Sequence, residues 1–442
     1  MKKSFCRLTK LSLAIALAMP ATAMATNGYF AHGYGTKNKG LAGGGVALPQ
    51  DAMIAATNPA GMVFVGERMD LGAGIFSPSP RSYTVNGAAV TPAGCGVNCP
   101  FNLGPDGQAN ESDNDFFLIP HFAYNWMLGT DSSVGLTVYG NGGMNTEYNT
   151  GNATISPDGG TNWFTLNGTY GAGTTGVNLE QLFINASYAR KFNPTSSWGV
   201  SAIAAYQRFE AKGLANFGPF SQDANNLTDN GVDTSTGFGL KLGIQSQVAA
   251  GVSIAASYQS EMDMSEFDKY RGLFAENGDF DIPATWTVGL AWNVQPKSVL
   301  TFDVQKIMYS DIASIANPLL PNLMSAPLGS SGGAGFGWED MTIYKLGYQW
   351  ESSPDWTWRV GYSHGDQPIP ESEVLFNILA PAVIEDHITF GFTWNTSPTS
   401  EFNFQFMHAL ENSVTGPNPL ANQNITLEMS QNEAEASWAW KF

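Results

Sequence analysis

The chain has 442 residues, of which only 13% are charged while 12% are aromatic, and its formal net charge is −18. Soluble domains carry charge on about a quarter of their residues, so this balance sets the chain apart from them. Nucleic-acid binding is excluded as well, because neutralising phosphates needs clustered Lys and Arg, and acidic residues outnumber basic ones 38 to 20.

The first residues read as an address. Lys2, Lys3, Arg7 and Lys10 form a basic head, Leu11 to Met19 an apolar run, and Ala23-Met24-Ala25 a small-x-small cleavage site. This predicts a secretory signal peptide over 1–25 and a mature chain from Thr26, with a net charge of about −22 once those four basic residues are removed. Cys6 precedes the apolar run, so it is not placed as a lipid-attachment cysteine. Beyond the leader, nothing approaches the roughly 18 uninterrupted apolar residues of a membrane-spanning helix. An exported chain that is poor in charge, rich in aromatics and glycine, and without apolar helices fits an outer-membrane β-barrel.

Residues 26–66 do not read as strand. They are rich in glycine (Gly33, Gly35, Gly40, Gly43, Gly44, Gly45) and end near Asn58-Pro59-Ala60. From residue 67 to 442 the period is two. On one face lie Phe238, Leu240, Leu242 and Ile244; on the other, Lys241 and Gln245. Ile388, Phe390, Phe392 and Trp394 oppose His387, Thr389 and Thr393. Ala434, Ala436, Trp438, Trp440 and Phe442 oppose Glu433, Glu435, Ser437 and Lys441. Successive strand side chains point to opposite faces, so each segment has one greasy and one polar side. A soluble sandwich would alternate too. Trp and Tyr near the segment ends, and short connections alternating with long ones, favour the barrel instead.

Counting between connections predicts about fourteen strands: 67–85, 114–128, 132–147, 176–192, 197–214, 234–249, 251–265, 282–295, 297–314, 338–351, 354–368, 383–396, 399–414 and 425–442. The fold class is therefore all-β, an antiparallel transmembrane barrel. An even count returns the C-terminus to the periplasmic side. A barrel this wide cannot be filled by side chains alone, so residues 26–66 are expected inside the lumen as a plug. Cys95 and Cys99, in the first long loop of an oxidising compartment, read as a small-loop disulfide; a metal site would need ligands that are not near in sequence. No metal, cofactor or catalytic residue is expected. Ser363 beside His364 points to the opposite strand face, which argues against a nucleophile–base pair.

Several segments carry a family resemblance. Leu41-Ala42-Gly43-Gly44-Gly45-Val46-Ala47, followed by Ala55-Ala56-Thr57-Asn58-Pro59-Ala60, resembles the N-terminal hatch of the FadL-type outer-membrane transporters for hydrophobic compounds, which also include aromatic-hydrocarbon channels. Val138-Tyr139-Gly140-Asn141-Gly142-Gly143-Met144 is similar to that family's third strand, Leu179 through Tyr188 to its fourth, and Trp358-Arg359-Val360-Gly361-Tyr362 to its eleventh. Trp440-Lys441-Phe442 has the aromatic terminus that the barrel-insertion machinery reads.

The resemblance implies passive uptake of hydrophobic molecules, long-chain fatty acids first and aromatic or alkane hydrocarbons as the alternative. Ligand would be caught by outer loops, bound inside the barrel and released sideways as the hatch shifts. It implies ligand contacts at Tyr29 and Phe30, and a carboxylate partner at Arg208 or Lys212, for which an ion pair with Glu210 or a lipopolysaccharide contact is the other reading. It implies an outer groove at exposed Phe217, Phe220 and Phe274. It makes Asn58, Pro59 and Ala60 part of a hatch facing the opening, and Gly142 and Gly143 the kink that opens the wall. Glycines in a strand mark a bulge or bend in any case. The expected partners are the hydrophobic ligand, outer-membrane lipids and lipopolysaccharide, and the insertion machinery through Phe442; a monomer is expected. A general porin, an outer-membrane lipase or protease, and an adhesin or phage receptor are the rival readings.

Overall fold

The structure, a computed structural model, describes residues 26–87, 101–156 and 162–442. The predicted signal peptide and the Cys95–Cys99 disulfide lie outside the described residues.

Fourteen strands form a closed antiparallel barrel. They are β1 (Arg68–Ser77), β2 (Phe117–Leu128), β3 (Ser132–Asn145), β4 (Gly176–Asn193), β5 (Ser196–Lys212), β6 (Asp233–Ala249) and β7 (Val252–Gln259), then β8 (Thr285–Gln295), β9 (Ser298–Ile307), β10 (Met341–Ser353), β11 (Trp356–Gly365), β12 (Asp386–Ser397), β13 (Ser400–Pro417) and β14 (Asn424–Lys441). Each pairs with the next, and β1 closes the ring against β14, from Arg68↔Lys441 to Ser77↔Asn432.

The alternation resolves into an outside and an inside. Phe238, Leu240, Leu242 and Ile244 of β6 are exposed, whereas Lys241 and Gln245 are buried. Ile388, Phe390 and Trp394 of β12 are exposed, and His387, Thr389 and Thr393 buried. A soluble sandwich would do the reverse. An apolar outer face around a polar interior is the barrel solution to a lipid solvent. Near the short turns, aromatic rings gather: Tyr124 stacks on Trp126 at 4.1 Å, and Trp356 on Trp358 at 5.5 Å. Amphipathic rings favour this interfacial level.

Three predicted strands are shorter than the alternation suggests. The first ends at Ser77 rather than 85, where Pro78 and Pro80 withhold ladder N–H groups. The chain resumes at Arg81–Asn86 as a separate strand on the outer part of β14. The seventh ends at Gln259 rather than 265, with Asp263–Met264 returning briefly to β6. The ninth ends at Ile307 rather than 314, where the chain passes into the 3-10 turn Tyr309–Asp311.

Residues 26–66 pack against the inner wall. They contain α1 (Thr36–Lys39), α2 (Ile54–Thr57) and a 3-10 turn, Pro59–Phe64. Glycine-rich chain offers little side chain, so the wall reaches in to its backbone. Asp303 of β9 accepts the N–H groups of Gly45 and Val46 at 2.7 and 2.8 Å. Thr389 of β12 accepts from Ala42, and Lys345 of β10 donates to the His32 carbonyl, both at 2.9 Å. Charged groups meet on the adjoining strands β13 and β14: Lys37 with Glu401 at 2.5 Å, and Lys39 with Glu433 at 2.5 Å and Glu435 at 2.7 Å. Burial works against the Lys39 ammonium, yet the two glutamates outweigh it and push its pKa up to about 12. Buried charges of this kind persist only when paired.

Candidate functional site

The wall has a local break. β2 pairs with β3 only from Leu128↔Ser132 to His121↔Tyr139. Beyond that level β3 continues to Asn145 on β4 alone, with a register shift between Gly140 and Gly142. Facing it, β2 runs through Pro120, Ile119, Leu118 and Phe117, where Pro120 has no N–H to offer. The N-terminal residues take the vacant edge from inside. Ala31 donates to the Asn141 carbonyl and Gly143 donates to the Tyr29 carbonyl, each at 2.8 Å. Glycine is required at 142, because a Cβ there would lie 1.7 Å from the Tyr29 oxygen.

An aromatic cluster covers this short strand. Tyr29 meets Tyr309 at 5.2 Å, Phe30 at 5.3 Å, and Phe280 and Trp338 at 6.0 Å. The Tyr309 hydroxyl donates to the Asn27 carbonyl at 2.5 Å and accepts from the Tyr29 N–H at 3.1 Å. Below lies a relay of polar side chains: Tyr34 to Asn141 at 2.6 Å, Asn141 to Gln181 at 2.8 Å, Gln181 to Gln207 at 2.9 Å, and Gln207 to the Phe280 carbonyl at 2.9 Å. One polar layer thus links the N-terminal segment to an outer loop across three strands.

On the far wall, between the N-terminal segment and β6–β10, is a small cavity of about 30 Å³. Lys241, Lys345, Gln259, Gln305, His32 and Tyr34 are among its lining residues, and no Asp or Glu is. Lys241 donates to the Ala56 carbonyl and sits 5.7 Å above the Tyr34 ring. Gln259, its cross-strand neighbour, is buried with its amide nitrogen unpartnered. Lys345 is shared between the His32 and Gly43 carbonyls. Two buried lysines and an idle amide, all hydrogen-bond donors, converge on this one cavity.

The family model for outer membrane transport proteins (OMPP1/FadL/TodX) matches residues 13–438. The chain belongs to this family. It is similar to the long-chain fatty acid transport protein of Escherichia coli K12, with 23% identity over 415 residues that cover 82% of this chain and 83% of that one. Its fold is similar to the Pseudomonas putida toluene transporter TodX, with TM-score 0.66 and 16% identity, covering 94% of this chain and all of that one. A Pseudomonas aeruginosa FadL homologue gives TM-score 0.65 at 14% identity, again with 94% of this chain covered. Membership makes the chain an outer-membrane transport protein.

Against this family frame, the predicted site residues divide. Tyr29, Phe30, Gly142 and Gly143 come together at the break in the wall. Asn58-Pro59-Ala60 does not face that break. It packs on β5 and β6, where a Cβ at Gly199 would lie 2.5 Å from the Pro59 carbonyl carbon and one at Gly243 2.0 Å from Asn58 Oδ1. Asn58 instead braces the segment, accepting from the Ala60 N–H and donating to the Val46 carbonyl, both at 3.0 Å. Arg208 and Lys212 do not point into the lumen. They share the outer face with exposed Tyr206, opposite buried Gln207 and Phe209. Their partners are Glu180 at 3.1 Å, and Glu147 and Glu210 at 3.3 and 3.9 Å.

Phe217 and Phe274 are not exposed as expected, and Phe220 is only partly so. Phe217 packs on Phe101, Tyr170 and Phe376, and Phe274 on Phe209, Phe267 and Phe280, because the long loops fold over one another. Sequence reasoning missed Lys241, Lys345, Tyr309 and Trp338. The alternation of β6 already put Lys241 on the polar, hence inner, face.

Proposed function

We propose that the protein is a passive uptake channel for hydrophobic molecules, with long-chain fatty acids as its principal cargo. The observation that carries this reading is the break between β2 and β3, stoppered by Tyr29–Ala31. A tail left in water forgoes about 0.8 kcal/mol per CH₂, so a route from pocket to bilayer through the wall serves it better than a watery pore. The stopper is held by few backbone hydrogen bonds, each worth about 1 kcal/mol net, which ligand contacts can replace. Residues 36–66, tied by ion pairs, act as the fixed part of the hatch, and residues 26–31 as the part that moves.

The cavity between Lys241 and Lys345 favours a ligand that bears a carboxylate, and takes over the role that sequence reasoning gave to Arg208 and Lys212. Aromatic hydrocarbons are the second reading, favoured by the ring cluster of Tyr29, Phe30, Phe280, Tyr309 and Trp338. Equilibrium binding of radiolabelled oleate to the purified protein in detergent, with toluene as competitor, tests the choice. Saturable oleate binding that resists toluene, weakens in Lys241→Met and Lys345→Met, and persists in Arg208→Ala is the expected result. Ready displacement by toluene, with no effect of either lysine, would move the assignment to hydrocarbons.

A further inference from the structure

On the outer surface, the loops spanning 308–340 and 366–385 enclose an open groove of about 870 Å³. Ala313, Ala316, Pro318 and Pro370 give it apolar walls, and Trp338 lines it as well. The same Trp338 lines a second, inner cavity of about 20 Å³, together with Gly28 of the N-terminal segment and Met144 and Asn145 of β3. One indole therefore separates outside space from the residues at the break in the wall. It is 2% exposed, T-shaped against Tyr309 at 5.1 Å, and held by a single side-chain hydrogen bond from Nε1 to Asn377 at 2.6 Å. The backbone before it, Gly332 to Gly337, carries four glycines in six residues, and Gly337 has φ +67°. The backbone here is seated by hydrogen bonds from Gly335 and Gly337 to the Asn317 carbonyl and from Phe336 and Trp338 to the Ile315 carbonyl, so the indole side chain is the part left to turn.

We propose that this groove is the port by which the apolar end of a ligand enters, and that Trp338 is the gate between the port and the N-terminal strand. The rim sets which end goes first. Asp311, Glu339, Asp340 and Glu373 all line the groove, and Lys306 pairs with Asp340 at 2.9 Å. A cleft rimmed by one sign of charge repels like charge, so a carboxylate trails while a hydrocarbon end meets the Ala, Pro and Trp surface. A neutral aromatic molecule has such an end as much as a fatty-acid tail does. The inference rests on the uptake reading but not on the choice of cargo.

Uptake of radiolabelled laurate and of radiolabelled toluene by cells producing the full-length protein tests it. Ala316→Cys, half-buried in the groove, is labelled with a bulky thiol reagent; Met324→Cys, exposed in the same loop but outside the groove, is the labelled control, and wild type treated alike corrects for the native cysteines. The port predicts that labelled Ala316→Cys loses uptake of both compounds while the control keeps it, and that Trp338→Ala takes up both faster than Trp338→Phe. Wild-type uptake by fully labelled Ala316→Cys would overturn the port and leave the proposed function standing. No uptake of either compound by the unmodified protein would overturn the proposed function and the port with it.

Discussion

The amide of Gly143 donates to the carbonyl of Tyr29 at 2.8 Å, a strand-like hydrogen bond between a wall strand and the N-terminal segment inside it. Gly142 makes that approach possible. Gly142→Ala would drive a methyl into the Tyr29 carbonyl and unseat residues 29–31. Loss of the two hydrogen bonds at Ala31 and Gly143 costs about 1–3 kcal/mol locally. Amide hydrogen exchange should show Ala31 and Gly143 losing protection while the middle of β3 keeps it.

Lys39 holds two glutamates that face the lumen. Lys39→Met leaves Glu433 and Glu435 buried without it, and removing one partner of such a group costs about 3–5 kcal/mol. The triple variant Lys39→Met, Glu433→Gln, Glu435→Gln should recover most of that loss, as read from thermal unfolding in detergent. A triple variant no better than the single one would show that the segment is held elsewhere.

Asp279, in the outer loop between β7 and β8, has its pKa raised to about 8 by burial and then by the hydrogen bond and charge of Asp281. The folded loop therefore prefers the protonated carboxyl. Its stability should decline as pH rises from the ordinary value of 3.8 to about 8, and level off above. Phe280 lies between the two carboxyls and packs on Tyr29 at 6.0 Å, so loosening this loop uncovers the N-terminal strand. Protection of the loop amides should fall over that pH range in the wild type, and stay flat in Asp279→Asn.

Asn58 ties residues 58–64 to Val46 through its side-chain amide. Asn58→Ala removes a cap and a bond to Val46, at about 1 kcal/mol, and should lower protection of residues 58–64. Gly243→Ala should reproduce the effect from the wall side, because its methyl would overlap Asn58 Oδ1.

Most of the barrel was legible because alternation is local. Phe238, Leu240 and Leu242 against Lys241 need no knowledge of the rest of the chain, and the strand ends lie within a few residues of the expected ones except at the outer ends of the first, seventh and ninth strands. The site was legible only where glycine marked a close approach, at Gly142. Arg208 shares the parity of Tyr206, which puts it on the outer face beside Glu180. The burial of Phe217 depends on Phe101 and Phe376, far away in sequence, and the cavity at Lys241 depends on how residues 31–43 settle against β6–β10. Contacts of that kind come from packing and leave no periodic trace.

On the proposed uptake route, residues 29–31 must leave the edge of β3 for ligand to pass. Cysteines at Ala31 and Asn141, joined by a short thiol-to-thiol linker that can be reduced, would hold the strand in place. Uptake of radiolabelled oleate should be lost in the linked protein and return on reduction. Full uptake by completely linked protein would contradict the account, because ligand would then be passing by a route that leaves the Tyr29–Ala31 strand where it is.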